Sequence, residues 1–217
     1  MTAVAPEEPL ALRTYRTLRR GIILGRYPQG SPMVEAALAS ELNVSRLPIR
    51  EAGPQLENEG FVIALPRRTS RVRQWTAAGV IELYDARLSL ETLAARLAAE
   101  AVAAGASLQP MLDALDAEQR ALDEADWLAA AETSTLLHES IVEIGGSELL
   151  GTLMRGISGR MTWLAYLTST RDQGQQSDAH HGLLDAIRSG NPRLAEAVAA
   201  AHIENGRAPS LAMLARG

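Results

Sequence analysis

The stretch Val44-Ser45-Arg46-Leu47-Pro48-Ile49-Arg50-Glu51 restricts what this chain can fold into more than any other. Ser45 suits a helix start, because its hydroxyl can accept from backbone N–H groups that lack an intrahelical acceptor. Pro48 is tolerated in a first turn, where its missing N–H removes no helical bond. A helix beginning at Ser45 projects Arg46 and Arg50, four residues apart, from one face near its leading end. Paired guanidinium forks in that place match the acceptor edges of the DNA major groove.

Upstream, Leu12, Tyr15, Leu18 and Ile22 form one stripe and predict a helix over about Pro9–Leu24. Tyr27-Pro28-Gln29-Gly30 reads as a turn with Pro second and Gly fourth. A short helix over about Glu35–Leu42 would bury Ala36 or Ala37, Leu38 and Leu42, and Asn43 can take the left-handed conformation that ends it. In the Ser45 helix, Ile49, Ala52 and Leu56 face inward and Gly60 marks the stop. Phe61–Leu65 and Arg71–Gln74 are strand candidates on either side of Pro66-Arg67-Arg68-Thr69-Ser70. Three helices followed by a small hairpin is the plan of a winged helix-turn-helix, assigned to residues 1–75.

From Thr76 to the end the pattern is helical, with helices expected near 76–104, 108–124, 127–144, 147–169, 177–189 and 192–205. The last has Asn191 as N-cap and Pro192 at its first position. The fold class is therefore mainly α, a winged helix-turn-helix followed by an all-helical bundle over 76–217 that is large enough to enclose a ligand.

Charge divides along the same line. The formal net charge of −5 conceals a basic segment, since residues 1–75 carry eleven arginines against seven glutamates. The remaining residues hold ten arginines against nineteen acids, as expected of a basic module joined to an acidic one. The absence of cysteine excludes disulfides and thiolate metal sites. No apolar run reaches membrane-spanning length and the N-terminus lacks a signal-peptide pattern, so a soluble, cytoplasmic protein is expected.

The run from Leu38-Ala39 through Val44-Ser45-Arg46-Leu47-Pro48-Ile49-Arg50-Glu51-Ala52 resembles the signature of GntR-type bacterial transcription regulators. Gly25–Gly30 before it and Leu56–Val62 after it fit the same family. Tyr84-Asp85-Ala86-Arg87 with Glu91, then His180, Leu184–Ile187, Gly190 and His202, resemble the all-helical (FCD-type) effector domain of its FadR-like subgroup. The resemblance spans roughly residues 10–205. It implies a homodimeric, effector-responsive regulator, a repressor by preference, that binds a palindromic stretch of double-stranded DNA. By position, Ser45, Arg46 and Arg50 would contact DNA, with Arg67 and Arg68 at the wing tip. Arg87 and, more weakly, Arg155 would grip a small carboxylate effector. Arg87 could equally pair with Glu91, its i+4 neighbour. Trp127 and Trp163 are expected to pack in the bundle and wall its cavity.

The chain also departs from the pattern. Gly53-Pro54 stands where relatives continue the recognition helix with leucine and a basic residue. A proline there clashes with the carbonyl of Arg50, so the helix is expected to kink or restart. Val34, Ala36 and Thr69 replace a capping serine, a further arginine and a wing glycine.

Three of the four histidines occupy positions that the subgroup uses for a divalent, zinc-like metal. His180 lies ten residues before Gly190 and His202 twelve after it. In an antiparallel hairpin both stand about 15–18 Å along their helices from the turn, and are therefore level. His138 would complete the set from the 127–144 helix. Three imidazoles leave an open position for water or an effector oxygen. Ser134 replaces the acidic ligand expected one turn before His138, so a metal-free polar pocket is the competing reading. His181, rotated by about 100° from His180, should be exposed.

Two other functions compete with a regulator. One is an enzyme with a three-histidine metal centre, for which Glu139 or Glu143 would have to serve as base, although no nucleophile accompanies them. The other is a helical interaction protein whose DNA-binding head has decayed.

Overall fold

The computed structural model describes residues 8–65, 68–168 and 173–214, with side chains from residue 178 onward in the last stretch. The chain divides into two compact units between Gln74 and Trp75.

In the first unit, α1 (Leu10–Ile23), α2 (Glu35–Glu41) and α3 (Arg46–Asn58) precede a hairpin of β1 (Val62–Leu65) and β2 (Arg68–Val72). Leu18, Ile22, Leu38, Ile49, Ala52, Leu56 and Phe61 are buried and form its core. Tyr15 closes the base of the unit by donating its hydroxyl to the Glu59 carboxylate at 2.6 Å. The turn before α2 is closed one residue later than expected. Ser31 N–H bonds the Pro28 carbonyl at 3.0 Å, and Gly30 takes φ +78 at the third position, where a side chain would be strained. Leu38 and Ala39, rather than Ala36 or Ala37, are the buried residues of α2. Asn43 does adopt a positive φ of 51.

The hairpin is antiparallel, pairing Val62 with Val72 and Ile63 with Arg71. Its second strand begins at Arg68, not at Arg71. Thr69 therefore lies in a strand, where a β-branched residue is at home and no glycine is required. The strand is also held from outside, by Met33 N–H to the Ser70 carbonyl at 2.8 Å.

The second unit contains α4 (Ala77–Ala103), α5 (Gln109–Asp123), α6 (Trp127–Gly145), α7 (Glu148–Leu167), α8 (Gln173–Arg188) and α9 (Pro192–Leu214). The long α4 packs against α6, α8 and α9, and α5 lies along α6. Thr76, Asp126 and Ser147 each cap the helix that follows through a side-chain oxygen. Asn191 accepts from the N–H groups of Arg193 and Leu194, both at 3.2 Å.

The main departure is at the C-terminus, where α9 continues nine residues past the expected end despite Pro209. Two ties to α4 hold the extension: Tyr84 Oη to Ser210 Oγ at 2.8 Å and Arg207 to Asp85 at 2.8 Å. Gly206 does not stop the helix because it serves close packing. A Cβ there would stand 2.7 Å from the Tyr84 hydroxyl. Among the described residues no helix is long and apolar enough to cross a membrane.

Candidate functional site

The turn between α2 and α3 is set by Asn43 and by Val44 N–H to the Ala39 carbonyl at 3.0 Å. Ser45 takes the extended N-cap conformation, yet its hydroxyl makes no capping bond. The reason is local. An N-cap oxygen accepts from the second or third helical N–H, and the third helical residue is Pro48, which has none. The Ser45 hydroxyl is thereby left exposed at the leading end of α3, beside the exposed Arg46.

Arg50 projects from the next turn and is already engaged. Its Nη2 donates to Glu35 Oε2 at 2.9 Å and its Nε reaches Oε1 at 3.4 Å. Glu35 escaped the sequence reading, where an acid in the first turn of α2 passes for a favourable helix-dipole residue. Arg50 and Arg68 line one hollow of about 710 Å³ between α2, α3 and the hairpin. Arg67 lies outside the described residues. The helix does not restart at Gly53-Pro54: α3 runs from Arg46 to Asn58 with Pro54 inside it. Pro54 is exposed, so the Arg50 carbonyl it leaves without a helical donor can turn to water.

In the second unit, His138 of α6, His180 of α8 and His202 of α9 converge. Their ring centroids lie 4.9–5.5 Å apart, and one ligand nitrogen from each falls within 4.8 Å of the others. They stand on the wall of a cavity of about 470 Å³, to which Arg87, Ser134 and Tyr84 also contribute. His181 is exposed, as its helical phase predicts.

Two buried carboxylates stand behind the rings. Glu118 of α5 accepts from His180 Nδ1 at 2.7 Å. Glu91 Oε2 lies 2.7 Å from His138 Nδ1, close enough for charge attraction though without hydrogen-bond alignment. Glu91 also receives Arg87 Nε at 2.6 Å, and Arg87 Nη2 lies 3.4 Å from His138 Nε2. Arg87 is thus paired with Glu91, as its i+4 spacing allows, and its side chain also lines the cavity.

Burial alone would raise the Glu91 pKa, but Arg87 and then His138 outweigh it and hold the carboxyl well below the usual range. Burial lowers His180 below its ordinary value, against the pull of Glu118. Burial, followed by the neighbouring His138 and His180, does the same to His202. His180 and His202 are thus held neutral, the form that ligates a metal. The His180 Nε2 atom is buried without a protein partner. Imidazoles from three helices with an orphaned nitrogen among them fit a divalent transition metal.

Some expected residues are elsewhere. Arg155 is exposed, donates to Thr152 Oγ1 at 2.9 Å and does not line the histidine cavity. The inward side of α7 is taken by its neighbours Met154 and Ile157, which turns Arg155 outward. With Glu139 and Glu143 it borders a separate surface hollow, so neither acid faces the histidines. Trp127 is 42% exposed at the start of α6. Trp163 is buried edge-to-face against Trp75, at 5.7 Å, and does not wall the cavity. Glu118 was missed, although an acid on the apolar stripe of Met111, Ala114, Leu115 and Ala121 was the available signal.

Comparison with known proteins agrees with this architecture. Residues 10–72 match the family model "Bacterial regulatory proteins, gntR family" and residues 82–205 match the FCD domain. The chain is 29% identical over 183 residues to the "Probable D-xylose utilization operon transcriptional repressor" of Paenarthrobacter nicotinovorans, covering 84% of this chain and 80% of that protein. It is 25% identical over 167 residues to the transcriptional repressor RspR of Escherichia coli K12, covering 77% and 73%. The crystal structure of a GntR regulator from Rhodococcus sp. RHA1 shares the fold, with a TM-score of 0.77 at 24% identity over 93% of this chain and 97% of that one. These relatives are transcription regulators, which sets the enzyme reading aside. The chain belongs to the GntR family and is a ligand-responsive, DNA-binding transcription regulator with an FCD effector domain.

Proposed function

We propose that the protein is a repressor that binds a palindromic operator as a homodimer in the cytoplasm and responds to a small carboxylate held in the histidine cavity. Ser45, Arg46, Arg50, Arg67 and Arg68 form the DNA-reading set. Arg46 and Arg50 supply the forks for base edges, and Ser45 offers a hydroxyl for a phosphate. Arg87 is the cationic anchor of the effector, and Tyr84 and Ser134 supply polar groups on the same wall. His138, His180 and His202 would hold a divalent metal, which supplies a Lewis-acid anchor for an effector oxygen when bound.

The observation that carries this reading is the convergence of three imidazoles within 4.8 Å on the wall of a cavity that Arg87 shares. An effector acts only through a difference in affinity between the DNA-bound and free states. The test is a gel shift with DNA from beside the protein's own gene, with and without Zn²⁺ and a panel of hydroxy- and dicarboxylates. One of these acids should release the DNA from the native protein, and fail to do so with Arg87→Ala or His138→Ala. Release that is equal in all three proteins would overturn the assignment of the cavity.

A further inference from the structure

Neither DNA reading nor effector capture by Arg87 accounts for the pairing of His180 with Glu118. Both side chains are buried, at 0% and 5% exposure, and they come from different helices, α8 and α5. A carboxylate on the apolar face of α5 is costly to bury, and a hydrophobe there would pack without that cost. Among the described residues this carboxylate pairs with His180 alone, whereas Glu91 shares its charge between Arg87 and His138.

The consequence for His180 is specific. A proton held on Nδ1 by Glu118 leaves the lone pair on Nε2, and that atom is buried, without a protein partner, beside the other two rings. Imidazole ligands bring no charge of their own to a dication, so a carboxylate one hydrogen bond behind a ligand both orients the ring and increases its basicity.

We propose that Glu118 is the positioning residue of the three-histidine centre: it fixes the His180 tautomer, aims Nε2 into the cavity and supplies the negative charge that the ligands lack. This rests on the reading of the three histidines as metal ligands. The role of Glu118 is separable from that of Arg87, because Arg87 pairs with a different carboxylate on a different helix.

The experiment uses full-length, metal-stripped protein with Zn²⁺ as the probe, titrated in competition with a chromophoric chelator. Glu118→Gln, which keeps the shape but removes the charge, should weaken Zn²⁺ binding by about 10- to 100-fold. Glu118→Asp keeps the charge and should retain more affinity than Gln, which covers a Gln variant that folds poorly. Two-bond ¹H–¹⁵N correlation of the metal-free protein reads the ring directly. His180 should show the Nδ1–H tautomer in the native chain and a mixed or altered state in Glu118→Gln, whose amide can donate as well as accept. Equal Zn²⁺ affinity in native and Gln proteins, or an unchanged tautomer, would overturn the positioning role. A native protein that binds no Zn²⁺ while holding His180 in the Nδ1–H form would instead overturn the metal reading, and the proposal with it.

Discussion

Arg50 is held before any DNA arrives. Glu35 grips its fork from α2 with two contacts, both partners being exposed. Exposed ion pairs contribute little to stability, so, on the proposed role of Arg50, the pair would pre-orient the guanidinium more than hold α2 on α3. Arg50→Ala should leave thermal unfolding almost unchanged and weaken specific operator binding by roughly ten- to a hundredfold. Fluorescence anisotropy against operator and scrambled DNA separates the two effects, and equal affinity for operator would remove Arg50 from the reading set. The buried counterpart is Glu91, which joins Arg87 to His138. Removing one partner of a buried ion pair leaves the other charge uncompensated, at a cost of about 3–5 kcal/mol. Glu91→Ala should therefore destabilise the effector unit by about that amount in urea unfolding followed by tryptophan fluorescence, since all three tryptophans lie in that unit. A loss close to zero would show that Arg87 finds another partner.

At the scale of elements, α3 shows why sequence reading of a helix is only partly secure. Ser45, Pro48 and Gly60 marked its two ends correctly, because the extended N-cap backbone and the left-handed glycine are local properties, even though the Ser45 hydroxyl makes no capping bond. Whether Pro54 would break it was not local. The outcome depends on Ala52 and Leu56 being buried on one side while Pro54 faces solvent on the other. The end of α9 was illegible for the same reason, since Tyr84 and Asp85, more than a hundred positions away, hold Ser210 and Arg207. Of the cavity, His180 and His202 were legible from helical register around Gly190, and His138 only from the family resemblance. Glu118 and the outward turn of Arg155 depend on which faces of α5 and α7 are covered. Gly53 gives a test at this scale. It lies inside α3, lines the hollow beside the hairpin, and a Cβ there would meet nothing within 4 Å. Alanine in a helix interior is favoured over glycine by about 0.5–1 kcal/mol. Gly53→Ala should thus slow hydrogen exchange of the α3 amides roughly two- to fivefold in the intact protein. Faster exchange would mean that α3 needs the freedom of glycine next to Pro54.

For the whole molecule, the division of charge matters more than its total. A chain of net charge −5 would be repelled by DNA if its charge were uniform, but residues 1–75 are net basic and the excess of acids lies beyond them. Attraction is therefore confined to the reading head, and the acidic effector unit adds nothing favourable to non-specific binding. The number of heads engaged can then be read from counterion release, since the salt dependence of binding scales as about −0.9 per neutralised phosphate. On a palindromic operator the proposed homodimer would engage two heads, each with the proposed reading set of Arg46, Arg50, Arg67 and Arg68. A plot of log K against log salt should then be twice as steep on the full palindrome as on a short duplex carrying one half-site. A dimer whose two heads engage DNA together also requires half-sites about one helical turn apart, or a multiple of it. Inserting about five base pairs between the half-sites should therefore bring the slope on the long duplex down to that of the half-site. Slopes that are equal from the start would leave one head reading DNA alone and would exclude the two-headed mode of repression.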